Sequence, residues 1–324
     1  MGWRENNCEG GRLMKWKKKG LIYQPPKDNS WRDNSALTPT AFLLDENIIR
    51  VYASFRDTQG IGRIGYVDVD ANNPNNIIKI SDKPVLDIGK DGMFDDNGVI
   101  LGDIIRVDNK IYMYYVGFQL VKKSKFLAYS GLAISEDNGE TFKRYKNTPI
   151  MDREDEALYI RAIHSVIFED NKFKFWYATG SGWENINGVD YPQYDINYIE
   201  SDDGIHFKEN GIKCIENNKD NLEYRIGRPR TYKKNNSYIM NFTYGTIDGR
   251  YIAGQAISSD GVNWDRDDKN LGIELSKEGW DSIHLSYPSI VHTKYKTYMF
   301  YNGNNMGQDG FGYAELIEGI NDNN

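Results

Sequence analysis

IIRVYASFRD (48–57), KIYMYYVGF (110–118), KFKFWYATG (172–180), SYIMNFTYG (237–245) and TYMFYNGNN (297–305) are the segments that decide the fold. Each is a short aromatic-rich strand. Each is followed by a second strand with a small residue near its middle: RIGYVDVD (63–70), YSGLAISED (129–137), DINYIESDD (195–203), AGQAISSDG (253–261) and GFGYAELIE (310–318). Aligned on Tyr52, Tyr115, Tyr177, Phe242 and Tyr301, the repeats stand 63, 62, 65 and 59 residues apart. A repeat of this length that holds two strands of a meander marks a β-propeller, one blade per repeat. The expected fold is all-β: a five-bladed β-propeller with four-stranded antiparallel blades around a central axis. Function belongs where the blades converge.

Working outward, the blades cover about 36–84, 94–150, 157–216, 223–275 and 280–320. Each opens on a segment expected to form its innermost strand: SALTPTAFLL, DDNGVILGDIIRV, YIRAIHSVIF, YRIGRPRTYK and LSYPSIVHT. Turn signals such as Asp108-Asn109, Asp170-Asn171 and Lys234-Asn235-Asn236 separate these openings from the aromatic strands. Helix-period stretches are absent, so almost no helix is expected. Residues 1–13 are polar and Gly-rich and read as a flexible extension, 14–320 as one propeller domain and 321–324 as a tail. Propeller rings are closed by a terminal strand, here either MKWKKKGLIYQPP or the final YAELIEGI.

Composition narrows the partners. A net charge of -7 gives nucleic acid little electrostatic support. The cluster Lys15, Lys17, Lys18 and Lys19 reads as a solvated edge strand. Two distant cysteines, Cys8 and Cys214, make no disulfide framework, and histidines and cysteines never approach metal-ligand spacing. No metal or other cofactor is therefore expected. No apolar run approaches the roughly 18 residues that span a bilayer, and no signal-peptide core is visible, so a cytoplasmic protein is expected. The segments SEDNGETF, SDDGIHF and SSDGVNW follow the second strands of blades two to four. The first, with Ser135, Asp137, Gly139, Thr141 and Phe142, fits the Asp-box pattern S-x-D-x-G-x-T-F. Its Asp caps its own turn while Gly takes the positive φ, so Asp137, Asp203 and Asp260 read as structural.

FDDNGV (94–99), EYRIGRP (223–229), SYPSIV (286–291) and YNGNNMGQDGFGYA (301–314) resemble the five-bladed propeller glycosidases. That superfamily holds glycoside hydrolase families 43, 32 and 130, and the chain is most similar to glycosidase-like proteins of surface-polysaccharide loci. The resemblance implies three carboxylates around the axis: a base or nucleophile on blade one, a supporting Asp on blade two and a general acid further on. It places Asp95 and Asp96 at the second-blade position and Glu223 at the acid. Blade one departs from the pattern, because SALTPTAF holds no carboxylate; Asp33 and Asp57 are the nearest. What it implies is a carbohydrate-active, glycoside hydrolase-like enzyme, or a non-hydrolytic glycan-binding or transferase-like protein on the same scaffold.

The residues themselves add an expectation about the ligand. Asp95 and Asp96 stand at the mouth of an inner strand, either capping a turn or bonding a sugar hydroxyl. Glu223, Arg225 and Arg228 lie on one inner strand and its approach, where 223 and 225 share a face if pairing is regular. With Arg161 and Arg56 near equivalent inner positions, they form either a structural ion-pair cluster or a pocket for an anionic group. The guanidinium fork matches carboxylate or phosphate, so an acidic or phosphorylated sugar fits the pocket reading. His164 is a candidate proton-transfer group or a hydrogen-bonded core histidine. Tyr287 and Trp183 offer faces for a sugar ring. Trp183 stands in GSGWENINGVDYPQYD, read as a long irregular insertion of the recognition type.

Overall fold

The structure, a computed structural model, describes residues 14–208 and 210–318. The expected extension 1–13, with Cys8, and the tail 321–324 lie outside the described residues. Among the described residues twenty strands form five blades. Blade one is β2 (Ser35–Leu43), β3 (Ile48–Arg56), β4 (Gly62–Asp70) and β5 (Ile77–Ile80). Blade two is β6 (Val99–Val107), β7 (Lys110–Gln119), β8 (Leu127–Ser135) and β9 (Lys143–Arg144), and blade three is β10 (Ile160–Glu169), β11 (Lys172–Ile186), β12 (Val189–Ser201) and β13 (Ile212–Ile215). Blade four is β14 (Glu223–Lys234), β15 (Ser237–Thr246), β16 (Tyr251–Ser258) and β17 (Asp265–Arg266). Blade five is β18 (Ser286–His292), β19 (Thr297–Asn302) and β20 (Phe311–Glu318), completed on its outer edge by β1 (Lys15–Tyr23). The N-terminal segment thus closes the ring, with Trp16 opposite Leu316 and Tyr23 opposite Phe311. The Trp16 indole also donates to Leu271 O at 2.8 Å, fastening the closing strand to blade four. Helix among the described residues is confined to three single 3-10 turns.

The repeat has a steric basis. Tyr115, Phe242 and Tyr301 pair across the sheet with Gly131, Gly254 and Gly312; the rings of Tyr115 and Phe242 lie over their glycines, while Gly312 is covered by Trp280, itself stacked on Tyr301 at 5.0 Å. A Cβ on Gly131 would stand 2.4 Å from the Tyr115 ring. In blade one the equivalent pair is Ala53 with Gly65. The alignment on Tyr52 is therefore one residue out: Ala53 is the true counterpart, and the aromatic cover over Gly65 comes from Trp31 and Phe55 instead.

Blades are joined through the Asp-box turns. Ser135 Oγ donates to Asp137 Oδ1 at 2.7 Å, and the Gly139 and Thr141 amides donate to Ser135 Oγ (2.8 Å) and Asp137 Oδ1 (2.9 Å). The folded turn offers a glycine carbonyl to the blade before it. Tyr52 donates to Gly139 O (3.2 Å), Tyr114 to Gly204 O (3.0 Å) and Trp176 to Gly261 O (2.8 Å). One device recurs at three successive interfaces, on the face opposite the strand openings. At the first, buried Arg50 adds Asp68 (2.7 Å) and Glu140 (2.6 Å) and stacks over Tyr66 at 3.6 Å. The structural reading of the Asp boxes fits this geometry.

Each innermost strand carries a β-bulge, marked by register shifts at 37/40, 101/103, 163/165, 227/230 and 286/289. The bulged residues are Thr38, Gly102, His164, Arg228 and Tyr287, one per blade. A bulge re-aims a side chain, and here five of them face the axis in a ring. Thr38, Arg228 and Tyr287 hold positive φ (54°, 56° and 57°), and each precedes a proline. Gly102 has no side chain because none fits: a Cβ would sit 2.1 Å from Ile163 O. Gly102→Ala is expected to destabilise by about 3 kcal/mol, since backbone must shift to admit the methyl. Urea denaturation checks it, and a change below about 1 kcal/mol would contradict the close approach.

Candidate functional site

On the face where the inner strands begin, a cavity of about 310 Å³ opens along the axis. All five blades line it. Blade one gives Thr38 and Arg56, blade two Ile100, Val116, Phe118 and Phe126, and blade three Ala162, His164, Tyr191 and Tyr194. Blade four gives Arg225, Arg228 and Tyr251, and blade five Tyr287. Lys125 stands at the lip. Among the described residues no Asp or Glu lines it.

The cations are not neutralised by protein carboxylates: among the described residues Arg56, Arg225 and Arg228 form no ion pair within 4.0 Å. Burial holds Arg56 and Arg228 below the usual arginine value, against the opposing pull of Tyr287. Burial also works against Arg225, but the hydroxyls of Tyr194, Tyr251, Tyr224 and Tyr287 outweigh it and raise its value. Its guanidinium lies over the rings of Tyr251 (4.5 Å), Tyr224 (4.9 Å) and Tyr191 (5.8 Å). Tyr194 and Tyr251 touch hydroxyl to hydroxyl at 3.1 Å, so the tyrosines form one connected wall. Arg228 spans the axis, its Nη1 donating to Leu101 O of blade two at 2.8 Å. His164 is kept well below its ordinary value, first by burial and then by Arg228 and Arg230. It is a neutral imidazole at physiological pH.

Of the residues singled out in the sequence, Arg56, His164, Arg225, Arg228 and Tyr287 therefore meet in one cavity. Arg161 does not. Ile160, Ala162 and His164 face the axis along β10, and strand alternation turns Arg161 away, toward Asp152 O (2.9 Å) and Glu154 (3.2 Å). Trp183 stands behind the lip, edge-on to Phe126 and Tyr159 at 5.1 and 5.8 Å. Its segment is no irregular insertion. β11 and β12 continue as a paired hairpin to Ile186–Val189, because Asn187 and Gly188 both take the positive φ of a tight two-residue turn.

The three carboxylates are placed apart from the axial cavity. Asp95 is fully buried under blade two, paired with Arg144 of the outer strand at 2.8 Å. Asp96 accepts from the Gly92 amide at 2.9 Å, the turn-capping arrangement. Glu223 accepts from the Asn218 amide (2.7 Å) and Arg266 (2.8 Å). A register shift between 223 and 225 breaks the regular pairing, so the two do not share a face. Glu223 instead borders a groove of about 1110 Å³ between blades three and four, which meets the cavity at Tyr194. Sequence reasoning missed Thr38 and Tyr251 as lining residues.

No family model matches the chain. Among solved structures it is similar to a thermostable family-43 glycoside hydrolase (TM-score 0.64, 16% identity, 87% of this chain and 88% of that one). It is also similar to a structure from work on the GH130 family of mannoside phosphorylases and glycoside hydrolases targeting β-1,2 mannosidic linkages in Candida mannan (0.64, 14%, 94% of each). BT0996, in a complex with RGII, gives 0.67 at 16% identity, over 94% of this chain and 92% of that one. These likenesses are of fold: the architecture is that of the five-bladed propeller glycoside hydrolases. In sequence the chain is 30% identical over 304 residues to Uncharacterized protein Rv1502 of Mycobacterium tuberculosis (strain ATCC 25618 / H37Rv), covering 94% of this chain and 99% of that protein. MT1551 of strain CDC 1551 / Oshkosh gives 31% over the same length. With identity spread along nearly the whole of both chains, the protein belongs to the family of the mycobacterial protein Rv1502.

Proposed function

We propose that the protein is carbohydrate-active and captures an acidic or phosphorylated sugar in the axial cavity. The observation that carries this reading is the meeting of Arg56, Arg225 and Arg228 in one cavity with no lining carboxylate. Half-buried guanidinium groups without counter-ions favour an anion that brings its own charge. The rings of Tyr191, Tyr194, Tyr251 and Tyr287 supply apolar faces and hydroxyls together, which suits a sugar ring. Cleavage by paired carboxylates needs two such groups flanking the bond, about 5–9.5 Å apart. The cavity lining offers none, which favours capture without hydrolysis there.

A second reading, a glycoside hydrolase-like enzyme, draws on Glu223, whose groove adjoins the cavity and is also lined by Glu154, Glu184 and Asp195. One experiment separates the two. Acidic and phosphorylated oligosaccharides are titrated into wild type, Glu223→Gln and Asp96→Asn, with product release followed in parallel. The first reading expects saturable binding, affinity within about twofold in both variants and no product. Product released by wild type and abolished by either substitution would establish the enzyme instead.

A further inference from the structure

The bulge ring gives the cavity a floor with its own chemistry. Thr38 and His164 are 5% and 8% exposed, and Thr38 Oγ1 and His164 Nδ1 are both buried without a hydrogen-bond partner. Arg228 Nη2 is buried and unpartnered as well, although Nη1 of the same guanidinium is satisfied. A buried polar group left unbonded costs about 1–3 kcal/mol, so three on one small surface call for a shared ligand. They come from blades one, three and four and occupy equivalent bulge positions. The same three side chains surround a second void of about 10 Å³ on the axis beneath the cavity, room for roughly one oxygen atom. Two of the three hold positive φ, the kind of backbone strain that persists where surroundings fix a side chain for a task.

We infer that Thr38, His164 and Arg228 form a phosphoryl-binding notch, so that the anion borne by the sugar is a phosphate monoester rather than a carboxylate. This rests on the reading of the cavity as an anionic-sugar site. Shape supports it first. A carboxylate is flat and offers its oxygens in one plane, whereas a phosphoryl group presents three terminal oxygens in different directions. Donors that close on the axis from three separate blades suit the tetrahedral group. Charge supports it second. Arg56, Lys125, Arg225 and Arg228 border the cavity, and no lining acid offsets them. A phosphate monoester brings about -1.5 to -2, nearly twice the charge of a carboxylate. The neutral imidazole of His164 and the hydroxyl of Thr38 donate hydrogen bonds without adding charge.

The test is calorimetric titration of the full chain with inorganic phosphate, a hexose 1-phosphate and a hexuronate. Wild type, Thr38→Val, His164→Gln and Arg228→Met are compared, each checked for folding by near-UV circular dichroism. Thr38→Val is the isosteric control, since it keeps the backbone amide that donates to Asn302 Oδ1 at 2.8 Å. The expected result is hexose 1-phosphate binding at least about tenfold tighter than hexuronate. About tenfold of that affinity is lost in Thr38→Val and His164→Gln, with hexuronate binding changed less than threefold. Arg228→Met should lose about a hundredfold if it folds; if it does not, the other two variants decide. Equal or tighter binding of hexuronate overturns the notch while leaving the anionic-sugar reading intact, as does phosphate affinity unmoved by all substitutions. Binding of inorganic phosphate with neither sugar retained would uphold the notch and refute the sugar reading. Binding of none of the three probes refutes both.

Discussion

Arg225→Met is expected to weaken binding of an acidic or phosphorylated sugar by at least about 100-fold, or about 3 kcal/mol, because a desolvated charge-assisted contact is lost and not replaced. Its guanidinium sits within three tyrosine rings and has no carboxylate to satisfy, so its charge serves no ion pair of the fold. Arg56→Met supplies the complementary measurement. Burial holds Arg56 below its ordinary value with little to compensate, so charge there costs the empty protein free energy. Removing it should leave the thermal midpoint unchanged or higher while ligand affinity falls. Stability and binding moving in opposite directions is the signature of a group retained for a ligand. A midpoint lowered by several degrees in Arg56→Met, with affinity intact, would place the arginine in the structural framework instead.

The second large effect is expected at Asp103, on the side of the ring away from the cavity. Its carboxylate is 5% exposed, pairs with Arg230 of blade four and accepts the Val166 amide of blade three at 2.8 Å. One side chain of blade two thus ties three blades across the axis. Burial pushes its carboxyl above the usual range, while Arg230 and the Ile104 and Val166 amides pull against this. Asp103→Ala strands the Arg230 charge and a buried amide together, for an expected cost of about 3–5 kcal/mol. Asp103→Asn should cost less, since its carbonyl oxygen still receives the amide. Chemical denaturation measures both, and equal costs would show that the lost charge carries the whole effect and the retained acceptor contributes nothing.

The number of blades was legible because an aromatic facing a glycine across the sheet recurs in blades two, four and five. Blade three departs from it, with Tyr177 facing Asn197, and at blade one the alignment misled. There Ala53 takes the aromatic's place, and Trp31 covers the glycine from outside the repeat. His164, Arg225, Arg228 and Tyr287 were legible from their inner-strand positions, and Arg56 from its place at the end of the adjoining strand. Arg161 was misread because one residue along a strand is the opposite face. Asp95 and Glu223 were misread as axial for a different reason. Their partners, Arg144 and Arg266, lie 49 and 43 residues further on, and nothing local reveals such pairing. The signal for Thr38 was present and unused. Pro39, Pro229 and Pro288 each follow a bulged residue, and their spacing marks the ring in three of the blades.

The closing strand has a consequence for how the chain could be rewired. Lys15 stands directly opposite Glu318, so the two ends of the propeller lie side by side. A short linker from 318 to 15, with new termini cut between Tyr23 and Ser35, would give a circular permutant in which every blade is contiguous in sequence. In the natural order β1 is separated from β18–β20 by four whole blades and must wait for them before it can pair; in the permutant it follows them directly as the last hairpin. Comparing refolding rates of the two arrangements would separate the cost of ring closure from the cost of building blades.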